Sequence, residues 1–235
     1  RGPTTDKYFV DGVTDAIAVQ LSKLDGLQVI ARSSTRGYRD TTVSLEQMAE
    51  DLDAAFVVSG TVYWEKRAGR DRVRVDAALT RAGNESYLWA ESYVRELDDI
   101  FQLQNDIALQ VSEALRLKVG EERLRRMATP PTTSLEAYDF YLRGNDYFNR
   151  SWNQEDIKSA TMMYQTAVDI DPDFALAHAM LSRGHESMFW EYFDRSLARC
   201  SLAYTAAYRA LEIDSALAEG HLALVQARAG VAAGR

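Results

Sequence analysis

Apolar positions along the chain change their period several times, and each change marks an element. Phe9, Val13, Ile17, Leu21 and Leu24 recur at spacings of three and four, which predicts an amphipathic helix with one buried stripe. Gly26 follows as a stop signal, and the apolar run Leu27 to Ala31 then reads as a short buried strand. Residues 32–43 are polar and irregular and read as a loop. Ser44 with Gln47 three residues later forms a capping-box pattern, opening a helix whose inner face is Leu45, Met48, Ala49 and Leu52.

The period then falls to two. Phe56 to Lys66 is rich in β-branched and aromatic residues. Val73, Val75, Ala77 and Leu79 alternate with Arg72, Arg74 and Asp76, the clearest strand signal in the chain. Tyr87 to Val94 reads as a third strand. The turns Arg67–Arg70 and Ala82–Asn84 are short, so the three strands are predicted as an antiparallel meander. Asp98 and Asp99 lead into a long helix carrying Ile100, Leu103, Ile107, Val111 and Ala114. The acids at its start, and Lys118, Arg123, Arg125 and Arg126 at its end, suit the helix dipole.

Thr129-Pro130-Pro131-Thr132-Thr133 breaks that helix and is the predicted domain boundary. Everything after Ser134 reads as helical. Ala160, Tyr164 and Ala167 before Asp171-Pro172 match the second helix of a tetratricopeptide repeat, with Gly144 and Tyr147 in its first. Leu181 opens the next unit, Ala203, Ala207 and Ala210 before Asp214-Ser215 repeat the second-helix pattern, and Leu224 begins a third unit. Small residues at such positions let antiparallel helices approach closely. The expected fold is therefore an α+β domain over residues 1–128 (helix, strand, helix, three-stranded antiparallel meander, long helix), a linker at 129–134, and an all-α repeat region at 135–235.

Composition narrows the function. The formal net charge is −8 over 235 residues, which argues against a nucleic-acid binder and against adsorption to anionic lipid. Hydrophobic residues at 46% suffice for real cores, and no run approaches the length of a membrane helix. Cys200 is the only cysteine, so neither an intrachain disulfide nor a cysteine-based zinc site is available. One thiol is compatible with the cytoplasm, the favoured compartment, and with an exported domain. The chain begins at Arg1 and stops within a helical pattern, so it is expected to be a fragment.

Several motifs together resemble one family. Tyr8 to Asp15 is similar to a recurring YFADGITE opening, and Gly26 to Ser34 to GLRVIARTS. Val58 to Val62 is similar to LEGSV, Leu88 to Tyr93 to LWAERY, and Asp98 to Gln104 to DDIFALQ. They resemble the TolB-amino-terminal-like (FlgO-like) domain, which in bacteria commonly precedes tetratricopeptide repeats. The linking run Ser134 to Tyr138 and Tyr141 to Gly144 is also similar. The resemblance implies a bacterial signalling parent such as a class III adenylate cyclase or a winged-helix regulator. It also implies a first strand that has no counterpart before Tyr8, so the sheet would lack a strand or borrow one, and a homodimer is one expected consequence.

No phosphate loop, dinucleotide fingerprint or nucleophile elbow is present, which predicts a non-catalytic segment without cofactor or metal. His178 and His185, with Glu186 nearby, share a helix face but form no defined ligand set. Two surfaces stand out. The concave face of the repeats, lined by Tyr141, Asn145, Phe148 and Asn149 in one unit and by Ala179, Arg183 and Glu186 in the next, would accept a protein or peptide partner. The loop Arg32, Ser33, Ser34, Thr35 and Arg36, leaving the carboxyl end of the predicted strand, would accept an anion or small effector.

Overall fold

A computed structural model describes residues 7–38, 41–67, 70–84, 86–117 and 119–233. The chain divides into two compact units, Arg1–Pro130 and Pro131–Arg235. The first is α+β and the second is all-α, as the change of hydrophobic period predicts.

In the first unit helix α1 (Lys7–Ser22) buries Phe9, Val13 and Leu21. Gly26 takes a left-handed φ of +82°, which turns the chain just past the helix. The short helix α2 (Arg32–Thr35) and a 3-10 turn over Arg36–Tyr38 lead to α3 (Leu45–Asp51). Strands β1 (Phe56–Arg67), β2 (Arg70–Arg81) and β3 (Ser86–Glu96) form a sheet in the order β1-β2-β3, both pairs antiparallel. Val73, Val75, Ala77 and Leu79 of β2 are buried, and helix α4 (Ile100–Ala114) supplies Ile100, Leu103, Ile107 and Val111 to the same core. Helix α5 (Glu121–Ala128) follows.

Four expectations need correction here. Leu27 to Ala31 forms no strand: the segment is extended but pairs with none of the three strands, because a lone run of apolar residues makes no ladder without a neighbour. Residues 32–38 are helical turns rather than an irregular loop. The capping box at Ser44 is half made: Ser44 Oγ accepts from Gln47 N at 3.1 Å, while Gln47 Nε2 donates forward to Asp51 Oδ1 at 3.0 Å. The long helix ends at Ala114, where Arg116 adopts a left-handed φ of 57°, so Arg123, Arg125 and Arg126 belong to α5; Asp99 stands at the N-cap of α4 without a side-chain cap bond. Lys118 and the turn residues Ala68 and Gly69 lie outside the described residues.

The second unit contains α6 (Leu135–Arg150), α7 (Gln154–Ile170), α8 (Ala175–Trp190), α9 (Leu197–Ile213) and α10 (Ala218–Ala233). Each packs against the next across a short link, so successive helices run antiparallel. Local chemistry sets their starts. Ser134, Asn153 and Ser196 each accept the backbone N–H three residues ahead. A Cβ on Gly144 would come within 2.5 Å of the Tyr164 ring, and one on Gly184 within 2.5 Å of Thr161 Oγ1, so both helices approach their neighbours where no side chain fits.

The links α7–α8 and α9–α10 are copies of each other. Asp171 and Asp214 end their helices at φ/ψ of −128°/94° and −133°/95°. Each carboxylate accepts from the N–H two residues on, and each carbonyl from the N–H three residues on. His178 Nε2 then reaches Pro172 O at 3.0 Å, and His221 Nε2 reaches Ser215 O at 2.9 Å. Identical turns at equivalent sites make this a structural repeat.

Candidate functional site

Helices α6 and α8 bring part of the predicted concave face together. Tyr141 and Phe148 are buried rather than surface-lining. Tyr141 packs 5.2 Å from Phe174 and 6.1 Å from Tyr164. Tyr164 is fully buried, and its hydroxyl donates to Asn145 Oδ1 at 2.8 Å. Burial raises the Tyr164 phenol well above its ordinary pKa, so it stays a neutral donor. The half-buried Asn145 keeps its amide N–H groups, and Asn149 is exposed one turn further along α6.

Arg183 of α8 is half-buried. Its guanidinium lies over the Phe148 ring, 5.0 Å from the centroid, with Nη1 3.7 Å from Met180 Sδ. It makes no ion pair among the described residues. Glu186, expected on the same surface, is buried and does not pair with it; Ala179 is buried as well.

The second predicted surface is placed differently. Ser33 and Ser34 are exposed on the single turn of α2, and Thr35 is half-buried. The side chains of Arg32 and Arg36 lie outside the described residues. Since Leu27 to Ala31 is not a strand, α2 does not stand at the carboxyl end of one, and the sheet-edge crevice that motivated an anion site is not formed there.

Two polar constellations escaped the sequence reading. At the α8–α9 link, Asp194 Oδ2 accepts from Arg199 Nε at 2.7 Å, and Arg199 Nη1 donates to His185 Nδ1 at 2.9 Å. Arginine only donates, so the His185 proton sits on Nε2. Burial first, and Arg199 second, lower His185 to about 4. Arg199 and Ser196 together hold the Asp194 carboxyl at about 2. The other constellation is a group of buried polar atoms between α8 and α10. No spacing signal could have announced either, because each depends on which helix faces which. Among the described residues no cluster of three metal-ligating side chains occurs, and no helix is long and apolar enough to cross a membrane.

The architecture thus defines an α+β unit joined to a repeat of antiparallel helices. No protein-family profile matches the chain. It is 30% identical over 227 residues, 96% of its length, to a protein of Rhizobium meliloti (strain 1021) named "Putative adenylate cyclase 3". The chain spans 38% of that relative's own length. The name corrects the expectation of a non-catalytic chain, since the relative matched across almost all of this sequence is named for an enzyme.

Proposed function

We propose that this chain is the regulatory, protein-binding segment of an adenylate cyclase-like protein, and that an acidic partner peptide lies against α6 and α8. The supporting observation is Arg183. Its guanidinium lies over Phe148 yet has no carboxylate among the described residues. A cation already fixed in place can bind a carboxylate in bidentate fashion with little further loss of side-chain freedom. Asn145 and Asn149, one turn apart on α6, would supply donors to a peptide backbone.

In this reading the helix pairs are tetratricopeptide repeats and the sheet-containing unit is of the TolB-amino-terminal-like kind, carried by the motifs quoted above. Segments of that kind would couple partner binding to cyclic AMP synthesis in the cytoplasm of a bacterium.

A photo-crosslinking residue at position 149 of the full-length protein, expressed in its own cells, tests the proposal alongside Arg183→Glu. A discrete protein adduct that disappears with Arg183→Glu, together with an altered cyclic AMP level, is the expected result. An adduct indifferent to charge reversal, or no adduct, would overturn it. An adduct only to a second copy of the chain would favour a homodimer instead.

A further inference from the structure

The contact between α8 and α10 buries polar atoms that lack partners. Ser182 is fully buried and Glu186 is 8% exposed. Ser182 Oγ, Glu186 Oε1 and Gln226 Oε1 are shut off from solvent with no hydrogen-bond partner among the described residues. Ser182, Glu186 and Trp190 recur every fourth residue and form one stripe of α8. Gln226 and Gly230 have the same spacing on α10. A Cβ on Gly230 would meet Trp190 Nε1 at 4.0 Å and Cys200 Sγ at 3.6 Å. The two helices run in the same direction, so one turn back from that contact Glu186 stands level with Gln226.

The seat of α10 on α8 and α9 is built mostly from small side chains. Among its described side chains α10 buries Gly220, Ala223, Ala227 and Gly230 and half-buries Leu224, whereas Leu222 and Val225 are exposed. Alanine and glycine remove little apolar surface from water. Leaving an ionised carboxylate buried without a partner is far more costly than that small gain.

We propose that Glu186 is a proton-operated latch: neutral, it lets α10 seat on α8 and α9, and ionised, it drives α10 off that seat.

The surrounding groups are consistent with this. On α8, Arg183 leans toward Phe148, and His185 is turned to Arg199. In the α8–α9 link, Asp194 is held by Arg199, and Arg195 lies over Phe189 and Tyr192. From α9 comes the buried Cys200 thiol, itself raised mainly by burial. From α7 comes Tyr164, whose hydroxyl is spent on Asn145. On α10, His221 and Arg228 are exposed, and Glu219 lies two turns before Gln226. None of these forms an ion pair with Glu186. Burial pushes its carboxyl up to about 8, with Arg183 pulling the other way. A carboxyl whose folded pKa is raised loses stabilising effect as pH climbs from its ordinary value to the raised one. The latch therefore opens progressively toward pH 8.

Cys200, the single cysteine, lies against α10 at Gly230 and reports the opening. Its alkylation by iodoacetamide is followed at Cys200 by mass spectrometry from pH 5.5 to 9 in the full-length protein and in Glu186→Gln. The Glu186 carboxylate itself raises the Cys200 thiol, so thiolate formation is titrated separately in each protein and each rate is divided by its own thiolate fraction. The wild-type-to-variant ratio is expected to rise by roughly three- to tenfold per pH unit and to level off above about pH 8. A flat ratio overturns the proposal. Hydrogen exchange over the same range must loosen α10 before α6 and α7; equal loosening everywhere would mean global unfolding and also overturn it. If the variant does not fold, a carbon-13 titration of Glu186 in the wild-type protein decides. A raised midpoint that coincides with loss of hydrogen-exchange protection in α10 supports the latch, and one at the usual glutamate value, or a raised one with α10 unchanged, refutes it.

Discussion

The helical pairs α6–α7 and α8–α9 share a frame and differ in what fills it. Each joins a 16-residue helix to a 17-residue helix, and each ends at an aspartate in the same conformation. The first pair is filled by rings: Tyr138, Tyr141, Phe148 and Tyr164, with Phe174 closing the end. Its buried Tyr164 hydroxyl has a partner in Asn145, and its buried Thr161 hydroxyl has one in Ile157 O. The second pair sets Ala203, Ala206, Ala207 and Ala210 of α9 against Leu181, Met188 and Phe189 of α8, and it also buries His185 and Glu186. Caps and small residues are thus enough to set the repeat, leaving its interior free to be either an apolar anchor or a titratable one. Stability should reside in the first pair and pH response in the second.

Removing the anchor is the hardest blow to that division. Tyr164→Ala empties the centre of the first pair and is expected to cost about 3–5 kcal/mol in urea unfolding. At the equivalent site in the second pair, Ala207→Leu overfills instead and is expected to cost about 1–3 kcal/mol. Equal losses from the two changes would mean that the pairs do not differ as their interiors suggest.

Acid should act on the other pair. His185 is lowered to about 4 by burial and by Arg199, against an ordinary value of 6.5. A base depressed by folding contributes stability that is complete above pH 6.5 and is lost as pH falls toward 4. Roughly 2 kcal/mol should disappear over that interval, allowing for residual solvent access. Segment-resolved hydrogen exchange at pH 7 and 4.5 should show α8 and α9 losing protection before α6 and α7.

The repeated links offer a smaller contrast. Asp214→Ala removes one carboxylate bond to a backbone N–H and is expected to cost about 1 kcal/mol by thermal unfolding. Asp171→Ala should cost more, since Asp171 also accepts from the buried Thr132 hydroxyl.

That frame was legible in the sequence because it is written locally. Ser44 announces a cap, Val73 to Leu79 announce a strand with one wet face, and Asp171 and Asp214 announce the ends of α7 and α9. Leu27 to Ala31 misled because apolarity predicts burial but cannot supply a pairing partner. Arg116 carries no breaker signature, so the end of α4 was invisible. Arg183 and Glu186 were both expected on the concave face, yet only Arg183 keeps a half-exposed position. Three residues apart on one helix is close enough to share a face by counting, but the seat of α10 decides which of the two is covered. Sequence spacing places a residue on its own helix and is silent about the neighbour.

The smallest expected effect tests whether charge helps hold the second pair to the link before it. Arg209 of α9 reaches Asp173 in the α7–α8 link at 3.0 Å and Glu212 at 3.5 Å. The side chains are 43% and 82% exposed in the first of these contacts, so water screens the attraction and both partners give up freedom to meet. Arg209→Ala is therefore expected to change stability by less than about 0.5 kcal/mol and to show little salt dependence. A loss of 2 kcal/mol, erased by added salt, would show that surface charge, not the alanine interior, fastens α9 in place. Stability of the second pair would then depend on ionic strength, and its proposed sensitivity to pH would need to be separated from that effect by working at constant salt.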